Sequence, residues 1–136
     1  MSEMPQDMKA HNAALIDQFR REGGLGDQRM LLVSTTGARS GLRRTTPLMY
    51  VRVDDQLVII ASNNGSPKAP DWFLNLSADP RVTVEIGNET YDANAVVPQG
   101  NARDELFDRV LEQAPFFAEH EERAGRQIPV VVLERS

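Results

Sequence analysis

The chain has 136 residues, no cysteine and a formal net charge of −5. That length suits one domain with a sizeable core; the lack of thiols excludes disulfides, thiolate metal sites and cysteine nucleophiles. An acidic balance argues against a nucleic-acid partner, because phosphate neutralisation needs an excess of Lys and Arg. The polar amino terminus MSEMPQDMKAHN and the lack of any apolar run near ~20 residues predict a cytoplasmic protein with no integral membrane segment.

The charge is segregated along the sequence. Residues 28–53 hold five arginines (Arg29, Arg39, Arg43, Arg44, Arg52) and no acid; extended to Pro70, the stretch is +4 and the remainder −9. Bases gathered on one surface of an acidic protein suit a phosphorylated small ligand better than a polymer, whereas a solvated arginine-rich loop would need no ligand at all.

In chain order, Met8, Leu15, Ile16 and Phe19 fall at helical spacing over 6–22, and Gly23-Gly24 stops that helix. Residues 30–35 (MLLVST) read as a buried strand, followed by the loop Gly37-Ala38-Arg39-Ser40-Gly41. Residues 45–53 and 56–62 read as strands joined at Asp54-Asp55, with Pro47 limiting how centrally the first can pair. Asn63–Ala69 is a loop by composition, and Pro70 opens a short helix over 71–76. Val82, Val84 and Ile86, then Tyr91, Ala93, Ala95 and Val97, alternate about a Gly87-Asn88 turn. Asn101 is a candidate cap for a helix with Leu106, Phe107, Val110, Leu111 and Ala114 on one face. A helix over 116–123 and a strand over 128–133 follow. The order α-β-β-β-α-β-β-α-α-β is mainly β with flanking helices, excludes a doubly wound fold and predicts an antiparallel barrel or sheet. Residues 1–136 read as a single domain, with 1–24 as an acceptor-side or packing element.

Several site types fail on pattern. His11 and His120 lie in unrelated segments with no thiols near, so no metal site is announced. Ser40 falls one place too late for a nucleophile elbow, and no Gly-Lys-Ser/Thr follows the glycines. What remains is an anion cradle: glycines permit close backbone approach, Ser40 offers a hydroxyl, and Arg39 with Arg43 or Arg44 offers bidentate forks.

Two linked segments, GARSGLRRTTPL at 37–48 and ASNNGSPKAPDWFLNLSADPRV at 61–82, resemble the paired signatures of the deazaflavin-dependent nitroreductase and F₄₂₀H₂-dependent quinone reductase family. The resemblance implies a split β-barrel of the flavin-reductase class and an oxidoreductase using the deazaflavin coenzyme F₄₂₀. It implies that Arg39, Ser40, Gly41 and Arg44 hold the anionic phosphate and oligoglutamate tail, with Lys68 nearby. Pro47, Leu48 and Met49 would line the ring; Ala61, Ser62, Asn63, Asn64 and Gly65 would lie beneath the cofactor, with Trp72 packed close. Hydride would pass to a quinone, a nitroaromatic or a similar electron-poor small molecule.

Nitro-reducing members carry tyrosines before the last strand, where this chain has Phe116, Phe117 and His120 in PFFAEHEERAGRQIP. Phe116 and Phe117 would line the substrate side but cannot donate a proton, which counts against nitroreduction. His120, near the place of one such tyrosine, is the candidate catalytic donor. Arg43 reads as a solvated neighbour of the motif arginine; Tyr50 and Tyr91 fit strand faces. Three readings stand beside the leading one: a flavin mononucleotide (FMN) reductase of the same barrel class, a non-catalytic deazaflavin carrier, and a plain interaction domain. A monomer and a homodimer are both compatible with the sequence, as is peripheral membrane contact through the first helix, although its charges are too balanced for an anionic-lipid anchor.

Overall fold

The computed structural model describes the backbone of residues 4–24 and 29–136, with side chains from Asn12 onward except that of Asn64. Met8, part of the apolar stripe expected on the first helix, lies outside the described side chains. The elements are α1 (Met4–Glu22), β1 (Met30–Thr36), β2 (Arg43–Val53), β3 (Gln56–Ile60), a 3-10 turn (Asn63–Gly65), α2 (Asp71–Ala78), β4 (Arg81–Ile86), β5 (Glu89–Val96), α3 (Gly100–Gln113), α4 (Phe116–Ala124) and β6 (Val130–Arg135). The strands close a barrel in the order β1-β2-β3-β6-β5-β4, and every pairing is antiparallel. This is the expected order of helices and strands, with the 3-10 turn added.

Apolar runs in β1, β3 and β6 arise because these strands are covered on both faces. Leu31, Val33, Leu57, Ile59, Val131 and Leu133 fill the barrel, and Trp72 and Leu76 of α2 join that interior core. On the outside, Val58, Ile60, Val130 and Val132 pack against Phe107 and Val110 of α3, Ala114 just after it and Phe117 of α4. Leu32 meets Phe19 of α1, and a bidentate Arg20–Glu85 contact ties the same helix to β4. In β4 the alternation of buried Val82 and Val84 with more exposed residues records a strand with one wet face.

Asn101 is not a cap. The chain turns at Gly100 with φ +61°, the helix begins there, and Gln99 occupies the cap position without a side-chain hydrogen bond. A glycine that accepts positive φ redirects the chain so that the helix starts two residues earlier than an asparagine cap implies.

A buried ionic network joins α3, α4 and the segment that leads into β6. The Arg103 side chain is 8% exposed and donates to Glu121 Oε2 and to the Ile128 carbonyl oxygen. Glu121 in turn accepts from the Ile128 amide at 3.0 Å. Glu121→Ala leaves the buried Arg103 with only the exposed Asp104 as a carboxylate partner, so it should lower unfolding free energy by about 3 kcal/mol. Arg109→Ala, which breaks the exposed contact to Asp54, should cost under about 1 kcal/mol. Urea denaturation of both variants measures the contrast.

Candidate functional site

β2 changes partner midway, and this opens the site. Arg43–Met49 pair with β1, whereas Tyr50–Val53 pair with β3, so the first half of β2 has one edge without a strand beside it. Pro47, which has no N–H to offer, pairs with Leu32 in that first half. Two hollows lie along this part of β2, and both also use α2 as a wall.

The first hollow, about 540 Å³, is lined by Gly37, Ala38, Arg39, Ser40, Arg44, Asp71, Leu74 and Asn75. A Cβ on Gly37 would lie 2.6 Å from Ser40 Oγ, so any side chain there would push the serine hydroxyl from its place. Ser40 Oγ accepts from the Leu42 amide at 3.1 Å, which leaves its own proton free to donate. The guanidinium groups of Arg39 and Arg44 are exposed. Asn75, largely buried, fixes the loop from beneath: its Oδ1 accepts from the Ala38 amide at 3.0 Å and its Nδ2 donates to Thr35 Oγ1.

The second hollow, about 340 Å³, is lined by Asn12, Thr46, Pro47, Leu48, Met49, Ile60, Ser62, Asn63, Pro70, Trp72, Phe116, Phe117 and His120. Its character is apolar and aromatic, and Met49 and Phe116 are exposed at 36% and 41%. The His120 ring stands edge-on to both Phe116 and Phe117, and its Nδ1 lies 3.1 Å from Ser62 Oγ. Burial and then the charge of Arg123 hold the imidazole pKa below its ordinary value, against the opposing pull of Glu119.

The structure therefore brings Arg39, Ser40 and Arg44 to one hollow, and Pro47, Leu48, Met49, Ser62, Asn63, Trp72, Phe116, Phe117 and His120 to the other. Gly41, Ala61, Gly65 and Lys68 line neither. Gly41 turns the loop at φ +72°, Ala61 is sealed in the barrel core, and the Arg123 side chain covers Gly65. Lys68 is an exposed loop residue whose carbonyl accepts from Asn63 and Arg126. The side chain of Asn64 lies outside the described residues. Arg43 is not a free neighbour: it donates to Thr36 Oγ1 and Thr83 Oγ1, because alternate residues of a strand face opposite sides.

Asn12 and Asn75 were not anticipated as site residues. The signal for Asn75 was a polar residue three places after Trp72, on the buried face of an apolar helix; Asn12 carries no comparable mark. A larger hollow, about 580 Å³, sits at the other barrel mouth and includes Tyr50, Arg52, Tyr91 and Arg135. There Arg135 lies over the Tyr91 ring and Arg52 near that of Tyr50, while Asp55, Glu89 and Glu134 share the lining. Three carboxylates against two guanidinium groups make it a poor anion site.

A barrel carrying a basic glycine loop beside an aromatic slot has the shape and charge to hold a planar ligand with an anionic tail. The chain belongs to the F420H(2)-dependent quinone reductase family, whose model matches residues 9–135, and it is an oxidoreductase that uses coenzyme F₄₂₀. The F420H(2)-dependent quinone reductase Rv1261c of Mycobacterium tuberculosis is 39% identical over 108 residues, covering 77% of this chain and 72% of that protein. A solved F420-H2 dependent reductase is 36% identical, with a TM-score of 0.69 over 78% of this chain and 94% of its own. A second solved structure, described as a domain-swapped dimer, is 32% identical, with a TM-score of 0.72 over 96% of this chain and 99% of its own. The donor set fits such a group: two guanidinium forks and a serine hydroxyl for the anionic tail, and an apolar slot for the ring.

Two outcomes follow from this geometry. Asn75→Ala strips the partner from the Ala38 amide and should destabilise the protein by about 1 to 3 kcal/mol, read from its denaturation midpoint. Because the folded state disfavours protonated His120, the unfolded chain takes up that proton first as pH falls through about 6.5. Stability should therefore decline on acidification through that window, and His120→Gln should flatten the decline when denaturation is compared at pH 7.5 and pH 5.

Proposed function

We propose that this protein reduces quinones and similar electron-poor small molecules with hydride from reduced F₄₂₀, with nitroaromatic acceptors disfavoured. The observation that carries this reading is the pair of hollows sharing β2 and α2, one basic and one aromatic. When bound, the deazaflavin supplies hydride from its C5 carbon; everything else is the task of the chain. Arg39, Ser40 and Arg44 grip the phosphate and acidic tail. Pro47, Leu48 and Met49 orient the ring, and Trp72 backs the slot while also serving the core. Ser62 and Asn63 approach from the 3-10 turn, beside Ala61 and Gly65, which shape its backbone.

Phe116 and Phe117 offer flat apolar contact to an acceptor and exclude water from it. His120, set by Ser62 at the same slot, donates to the acceptor oxygen on which charge develops as hydride arrives. Hydride with one further proton converts a quinone to its hydroquinone, so the balance needs no other reductant. Phenylalanines where nitro-reducing members carry tyrosines support quinones over nitro compounds.

Residues 1–136 act as one unit in this reading. Asn12 places α1 beside the acceptor slot, while Phe19 and Arg20 anchor it to the barrel. The protein works in the cytoplasm as a monomer or homodimer. No described helix is long and apolar enough to cross a membrane.

Fluorescence titration with F₄₂₀ should give tight binding that Arg39→Ala and Arg44→Ala each weaken by about tenfold, a loss on the order of 1.4 kcal/mol. Clear preference for FMN would overturn the cofactor assignment. In a steady-state assay with reduced F₄₂₀ and menadione, His120→Phe should lower turnover about 100-fold with a far smaller change in cofactor affinity. Unchanged turnover would remove the donor role, and binding without any hydride transfer in the unmodified protein would make it a carrier.

A further inference from the structure

Arg126 lies between α4 and β6, outside both hollows, and its side chain reaches back across the sequence to the loop after β3. Its Nε donates to the Ser66 carbonyl oxygen at 3.2 Å. Its Nη2 lies within reach of three more carbonyl oxygens: Ala61 at 3.1 Å, Ser62 at 3.4 Å and Lys68 at 3.3 Å. Among the described residues no carboxylate pairs with it. The charge is met by backbone dipoles drawn from one short loop, an arrangement a planar fork with five donors can span and a compact ammonium cannot.

The peptide bonds here are trans. In a trans peptide the C=O and the following N–H point in opposite directions. Drawing the Ala61 and Ser62 carbonyls onto Arg126 therefore turns the N–H groups of Ser62 and Asn63 away from it. Neither amide donates to a protein acceptor among the described residues, yet both residues line the aromatic hollow. Asn63 also sits at φ +48°, a left-handed conformation that asparagine adopts more readily than other non-glycine residues. The Asn63 side chain closes the same loop by donating to the Lys68 carbonyl at 3.0 Å.

We propose that Arg126 is a positioning residue, clasping the 61–68 loop from behind so that the Ser62 and Asn63 amides face the slot as a ready pair of donors. The ligand chemistry this serves is a planar group edged with carbonyl oxygen or unprotonated ring nitrogen. The inference rests on the proposed cofactor reading for the identity of that group, but the clasp itself is a property of the free protein. The Arg103–Glu121–Ile128 network holds the α4–β6 connection from which Arg126 extends, so the slot is set from its far side.

The test compares the unmodified protein with Arg126→Ala, Arg126→Lys and the surface control Arg109→Ala, using amide NMR spectra of the free proteins and fluorescence titration with F₄₂₀. Arg126→Ala should shift the Ser62 and Asn63 amide signals and weaken F₄₂₀ binding about tenfold. Millimolar methylguanidinium should restore both, because it refills the vacated fork. Arg126→Lys should show the same shifts in smaller degree and serves alone if the alanine variant does not fold; Arg109→Ala should show neither effect. Unmoved Ser62 and Asn63 signals in the Arg126 variants would overturn the proposal, as would a loss of affinity that methylguanidinium leaves in place. If the unmodified protein does not take up F₄₂₀ while those signals still move and recover, the cofactor reading falls and the clasp stands.

Discussion

The change of partner by β2 is the constraint on which the site depends. A strand that stayed beside β3 for its whole length would seal the wall of the barrel. Here Arg43–Met49 belong to β1 and Tyr50–Val53 to β3, so the barrel closes at one end of β2 and parts at the other. Into that parting face the basic loop, the apolar side chains of β2 and the 3-10 turn after β3. The barrel interior meanwhile stays filled, with Trp72 and Leu76 of α2 joined to its core. The cleft is thus a feature of the wall and costs the core little.

Each wall of the cleft is held by a polar contact from a distant part of the chain. Asn75 fixes the glycine loop through the Ala38 amide, Arg126 gathers the carbonyls after β3, and Ser62 meets His120 across the slot. These contacts stabilise local backbone that would otherwise relax, since glycine-rich and loop segments have many alternative conformations. The loops around both hollows are held in this way by polar contacts, and the cations of the basic loop remain exposed.

Much of the fold could be read from residue order because apolar periodicity and turn chemistry are local signals. The MLLVST run, the Asp54-Asp55 and Gly87-Asn88 turns and the stripe on α3 each report on a few neighbouring positions. Strand ends moved by two or so residues: β2 begins at Arg43 and β6 ends at Arg135, since edge pairing depends on the partner strand. The glycine-arginine-serine loop was legible for the same local reason. Arg103 and Arg126 were not, because their inter-element partners lie 18 to 65 residues away and a long polar side chain carries no periodic mark of what it will reach. Arg43 and Arg44 show the limit most sharply: adjacent and chemically identical, they meet different surroundings, one held by Thr36 and Thr83 and the other lining the basic hollow, through the alternation of the strand that carries them.

The most direct test of the cleft is an amide chemical-shift map recorded as F₄₂₀ is added to the free protein. The largest changes should fall on 38–44, on Thr46, Leu48 and Met49, and on Ser62 and Asn63, in one saturating step. Changes concentrated instead around Tyr50, Arg52, Tyr91 and Arg135 at the opposite mouth of the barrel would contradict that expectation.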